Sequence, residues 1–170
     1  AYDKVARVLG LGYPGGPKVD ELAKLGNPEA IPFKRVYLEP ESFDFSLSGT
    51  KTGVLNYLNS ARQKGISVEN KDVAASFQAA VVEVLVEKTI RAAKTLNRKR
   101  VVMAGGVAAN SCLRQTLGEA CRENGMELFV PPLQLCTDNA AMIGCAAYYE
   151  WLEGKTADLT MDAYASLPLE

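Results

Sequence analysis

Val101-Val102-Met103-Ala104-Gly105-Gly106-Val107-Ala108-Ala109-Asn110 is the stretch whose reading decides the fold. Its apolar run predicts a buried strand over 101–104. The glycine pair predicts a loop, and Asn110 opens a helix that runs to about Glu123 with Leu113, Leu117, Ala120 and Cys121 facing inward. A second run, Leu128-Phe129-Val130-Pro131-Pro132, repeats the pattern. It predicts a strand over 127–130 and leads through Cys136-Thr137-Asp138-Asn139-Ala140-Ala141-Met142 into a helix over 139–152. Strand, loop and helix in alternation imply an α/β protein, and such junctions are where α/β folds hold a nucleotide or an anion.

Outward from these junctions, Ala1–Gly10 reads as a helix with Tyr2, Val5 and Leu9 on one stripe. It has no methionine or capping residue ahead of it, so a piece whose upstream portion lies elsewhere is expected. Leu11–Pro17 is a turn, with Pro14 setting one φ and Gly15 and Gly16 admitting positive values; a short helix to about Leu25 follows. Phe33–Leu38 and Phe43–Ser48 alternate like strands, and Gly49-Thr50-Lys51-Thr52 leads into a helix, with Ser48 or Thr50 a candidate cap. The longest helix runs from Val73 to about Leu96 behind a cap at Asn70 or Asp72. Phe77, Ala80, Val81, Val84 and Leu85 form its apolar stripe, while Glu83, Glu87, Lys88, Arg91 and Lys94 are assigned to solvent. The basic run from Lys94 to Arg100 is either a solvated helix end or a phosphate contact. Residues 1–152 read as one lobe and 153–170 as a surface tail.

The 170 residues, 48% hydrophobic and 23% charged, are those of an ordinary globular chain. A net charge of -1 gives no general attraction for nucleic acid, so any such partner must meet a local patch. The four cysteines lack zinc-knuckle spacing and read as free thiols in a reducing compartment. With no long apolar span and no secretory leader pattern, a cytoplasmic location and no membrane partner are expected. Histidine is absent, which excludes a histidine base, a Ser-His-Asp triad and a self-contained zinc enzyme site within this chain.

At the junctions, Gly105 and Gly106 fit either a ligand lying against the main chain or a close approach of structural elements. Asn110 fits a cap or a bond to a ligand hydroxyl. Asp138, at a helix start, fits an ordinary N-cap or a carboxylate holding a cation beside a phosphate.

Four segments together, the opening AYDKVARVLGLGYPGGP, FDFSLSGTKT over 43–52, VMAGGVAAN with Leu113-Arg114, and CTDNAAMIG, resemble the TsaD family, also called Gcp, in collinear order over practically the whole chain. The resemblance implies the C-terminal lobe of an actin-like ATPase fold (the ASKHA, ribonuclease H-like class). Its reaction is transfer of threonylcarbamoyl from threonylcarbamoyl-adenylate to N6 of adenosine 37 in tRNAs that read codons starting with A. It further implies that Asp3, Gly16, Asp20 and Asn110 hold the adenylate or an ATP, ADP or AMP ligand, with Gly105 and Gly106 bordering phosphate and ribose. Asp138 would be a ligand to one divalent metal, iron or zinc. TsaB-like and TsaE-like proteins are the implied partners. The two metal-binding histidines of the family lie in an upstream HxxxH motif, so this chain is expected to need the N-terminal lobe and to be inactive alone. Half of an actin-like sugar or acetate kinase is the rival enzyme, and a non-catalytic docking lobe using the small residues of helix 139–152 is the rival binding module.

Overall fold

The computed structural model describes residues 1–39 and 41–166. It divides into two compact units, Ala1–Cys136 and Thr137 onward, each described by itself.

The first unit is built around one helix. Helix α4 (Asn70–Thr95) buries residues on nearly every side, because α1 (Tyr2–Val8), α2 (Gly15–Ala23) and α3 (Ser48–Gln63) surround its first half. Val5, Ala6, Val19, Val54, Val73, Phe77 and Val81 form that core. Around its second half Val82, Val86, Ile90 and Ala93 meet Leu113, Leu117 and Cys121 of α5 (Ser111–Glu123) and Val101 of β1 (Arg100–Val102). Small and β-branched residues on most of its faces let neighbours pack around α4, while Glu83, Glu87 and Lys94 keep one strip in solvent. Strand β1 pairs in parallel with β2 (Glu127–Phe129), register Val101 to Leu128, which bears out both predicted strands and an α/β class; the expected burial holds at Val101 alone, with Val102 facing solvent.

Phe33–Leu38 and Phe43–Ser48 are not strands; the described residues contain β1 and β2 only. The first segment lies along a helix instead of a ladder, and the second does not bury one face, with Phe45 half exposed. Phe33 is buried, Arg35 pairs with Glu83 at 2.8 Å, and the Tyr37 hydroxyl donates to Glu87. Two extended residues advance about 6.6 Å and four helical ones about 6.0 Å, so an extended segment can stay in step with α4 without any ladder. Its continuation also corrects the solvent assignment of Lys88. That residue is 2% exposed, and its ammonium donates to the carbonyls of Ser42 (3.1 Å) and Asp44 (2.6 Å), which take the place of water.

The expected caps moved as well. Helix α3 starts behind Leu47 with no side-chain cap, and Thr50 donates instead to the carbonyl of Lys34. Helix α4 starts behind Glu69, while Asp72 accepts from the amide of Asn27 and Asn70 donates to the carbonyl of Leu9. Gly15 and Gly16 lie in the first turn of α2; the positive φ in the preceding turn belongs to Gly12.

In the second unit, α6 (Ala140–Leu152) follows Asn139, whose Oδ1 accepts from the amide of Met142 at 2.9 Å as an N-cap. None of its residues is buried. Residues 153–166 are exposed throughout, and Leu167–Glu170 lie outside the described residues. Among the described residues no helix is long and apolar enough to cross a membrane.

Candidate functional site

Because β1 and β2 are parallel neighbours, the loops that follow them leave the same edge of the sheet. These are Gly105–Asn110 after β1 and 130–136 after β2. Gly105 sits at φ 85°, ψ 173°, a combination that only glycine adopts without strain, and Gly106 opens a 3-10 turn, Gly106–Ala109. Both glycines are exposed, so the main chain at this mouth is open to a ligand. Asn110 ends the loop as the N-cap of α5, its Oδ1 accepting from the amide of Leu113 at 2.8 Å.

The structure brings Asp20 to the same place. Only 7% exposed, its carboxylate accepts from the amide of Ser111 (3.1 Å), the hydroxyl of Ser111 (2.9 Å) and Nδ2 of Asn110 (3.2 Å). The other hydrogen of Asn110 Nδ2 goes to Oε1 of Gln78, buried on α4, at 2.7 Å. The positive end of α5 therefore already holds an anion, and that anion is Asp20. A ligand at this mouth meets the glycine loop, with the first turn of α5 engaged by side chains.

Asp3 repeats the arrangement one helix earlier. Its Oδ1 accepts from the amide of Gly15 at 2.8 Å, capping α2, the helix that carries Asp20. Gly15 cannot bear a side chain here, since a Cβ would stand 2.6 Å from Cα of Asp3 and 2.7 Å from Cβ of Ala6. Gly16 faces open space. Tyr2, edge-on to Phe77 with ring centroids 5.1 Å apart, is held neutral: burial first, then the neighbouring Cys112 and Asp20, push its phenol above the ordinary range.

Arg114 joins the two loops. Its Nε donates to the carbonyl of Ala108, and its Nη2 donates to the carbonyl of Pro131 (2.7 Å) and to Sγ of Cys136 (3.0 Å). All four cysteines are free thiols, as expected; Cys121 and Cys136 are buried and Cys145 is exposed.

Asp138 lies in the second unit, exposed and next to the cap Asn139, beside a shallow hollow lined by Ala140, Met142 and Ile143. Iron or zinc does not fit the donors this chain offers. It has no histidine, and the described residues hold no group of three or more His, Cys, Asp and Glu side chains placed for a metal.

Gln78, Ser111 and the close approach at Gly15 were missed from sequence. Gln78 did leave a signal: it stands four residues after Ala74 and three before Val81, a polar residue on a core-facing stripe. Ser111 and Gly15 left none beyond their neighbours.

Comparison with known proteins agrees with the four quoted segments. The family described as TsaD, tRNA N6-adenosine threonylcarbamoyltransferase, matches residues 1–145. A protein of that name from Moorella thermoacetica is 59% identical over 169 residues, covering 99% of this chain and 49% of the relative. Namesakes from Clostridium botulinum strain 657 and Clostridioides difficile strain 630 are each 53% identical over 169 residues, covering 99% of this chain and 50% of theirs. The chain thus spans about half the length of the curated relatives it matches, and it belongs to the TsaD family.

Proposed function

We propose that this chain supplies the C-terminal-lobe side of the nucleotide site of a tRNA N6-adenosine threonylcarbamoyltransferase, in an actin-like, ribonuclease H-like lobe. The observation that carries this is the family match over residues 1–145, on a chain whose glycine loop opens at the C-terminal edge of a parallel strand pair. In the reaction, the N6 lone pair of adenosine 37 forms the new C–N bond at the carbamoyl carbon of threonylcarbamoyl-adenylate. The bond from that carbon to the phosphate oxygen breaks, AMP leaves with the electron pair, and one N6 proton passes to solvent. The chain's part is to bind and orient. The exposed backbone of Gly105 and Gly106 lies against phosphate and ribose, while Asp20, Asn110 and Gln78 hold α5 and the end of that loop in place. Asp3 and Gly16 border the same ligand through α2. No side chain acts here as nucleophile, and the transition state draws on positioning and backbone dipoles.

Asp138 as a metal ligand, and tRNA together with TsaB-like and TsaE-like proteins as partners, belong to the longer protein in this proposal. Calorimetric titration of the chain with ADP tests the nucleotide site. Binding is expected, weakened about tenfold in Asn110→Ala, because the cap that holds the end of the glycine loop is lost. No binding by the unaltered chain, or equal binding by the variant, counts against it.

A further inference from the structure

We infer that Arg114 is a positioning residue for the nucleotide mouth, holding the glycine loop and the β2 loop at a fixed separation; this rests on the proposed role of that mouth. Its acceptors are divided between the two loops: the Ala108 carbonyl on one side, the Pro131 carbonyl and the Cys136 sulfur on the other. Among the described residues no carboxylate pairs with the guanidinium, so its charge is spent on these loop acceptors. Cys136 is 3% exposed, which places the β2-side contact out of water. The ladder, with its last bond from the amide of Met103 to the carbonyl of Phe129, ends before either loop begins, so the Arg114 contacts lie beyond it. A planar guanidinium offers donors along two directions at once and can span the gap. An ammonium also has several donors, but on a flexible stem and without a fixed fork, so it holds the separation less rigidly.

The test compares the unaltered chain with Arg114→Met and Arg114→Lys by amide hydrogen exchange and by ADP titration. In Arg114→Met, amides over 105–110 and 133–136 are expected to exchange about tenfold faster while α1–α4 keep their protection, and ADP binds about tenfold more weakly. In Arg114→Lys, which keeps the charge and loses the planar fork, both loops are expected to speed up by less than in Arg114→Met. Overturning results are either loop unchanged in Arg114→Met, loss of protection spread over the whole unit, or unchanged ADP affinity when both loops have loosened. If Arg114→Met does not fold, Arg114→Lys decides, and wild-type protection of both loops in it refutes the tie. An unaltered chain that binds no ADP counts against the proposed function, whereas the exchange pattern judges the tie without nucleotide.

Discussion

Replacing Asp20 by alanine is expected to cost the first unit about 3 kcal/mol. The carboxylate takes three hydrogen bonds at the start of α5, two from Ser111 and one from Asn110, and is 7% exposed. Hydrogen bonds to a charged group contribute about 1.5–3 kcal/mol each when nothing replaces them. Simple addition overshoots, because Ser111 and Asn110 are half-buried and water reaches them once the carboxylate is gone. Losing a helix cap alone costs about 1 kcal/mol, and the unmet donors bring the total to about 3. For a domain of this size that lowers the melting temperature by about 6–12 °C. Asp20→Asn keeps an acceptor but turns an amide toward other donors, so an intermediate loss of about 1–2 kcal/mol is expected. Urea titration followed by far-ultraviolet circular dichroism is the assay. The single tryptophan, Trp151, lies exposed in α6 of the second unit, so helix content is the signal followed. If Asp20→Ala unfolds within about 0.5 kcal/mol of the unaltered chain, as an ordinary surface substitution does, the carboxylate is not holding α5.

Gly15→Ala is expected to destabilise by about 1–3 kcal/mol, since the new methyl meets backbone of α1 rather than a yielding side chain; a chemical denaturation curve that overlays the parent refutes the close approach. Gly105→Ala is expected to cost about 1–3 kcal/mol through backbone strain and to weaken ADP binding, whereas Gly106→Ala, at ordinary φ, costs less; equal effects of the two contradict the distinction. Tyr37 is pushed up to about 12, by burial first and then by its hydrogen bond to Glu87. The folded state holds that proton more tightly, so its contribution is complete below the ordinary value of 10.0 and declines as pH rises from there to about 12; Tyr37→Phe should flatten that part of the stability profile, and an unchanged slope refutes it. Iodoacetamide at about pH 8 should label Cys145 well before Cys112 and Cys121, whose thiols burial pushes up; peptide mass spectrometry showing Cys112 first overturns this.

The parts legible in sequence were those written in local terms. Gly105-Gly106 and Pro131-Pro132 interrupt apolar runs, and Asn110 and Asn139 cap the helices three residues ahead of the amides they receive, so both junctions were readable within a few positions. What escaped depends on partners far along the chain. Asp72 and Asn70 had the right chemistry for caps, yet they serve Asn27 and Leu9, 45 and 61 residues away. Lys88 carries a charge and reads as solvated until Ser42 and Asp44 bring carbonyls to it across 46 and 44 residues. Alternation over Phe33–Leu38 marked a chain that α4 partly covers, but over Phe43–Ser48 it misled, since Phe45 is 50% exposed and Ser48 opens α3; period two is silent on whether a sheet, a helix or solvent faces the residues.

The same distinction bears on the candidate site. A helix that starts after a glycine loop suggests an anion at its N-terminus, and α5 does receive one, from its own chain. Asp3 caps the helix that carries Asp20, and Asp20 caps the helix that begins at the mouth, so two acidic residues link α1 to the glycine loop through successive helix ends. A residue in such a chain affects ligand binding without having to touch the ligand, because displacing Asp3 shifts α2 and with it the carboxylate that seats α5. Substitutions at Asp3 and Asp20 should therefore lower stability and ADP affinity together, whereas Gly106→Ala, placed on the exposed main chain of the mouth, should lower affinity with little change in the denaturation midpoint. Affinity lost at Asp20 with no loss of stability would separate the two roles in the other direction, and assign its carboxylate to the ligand rather than to α5.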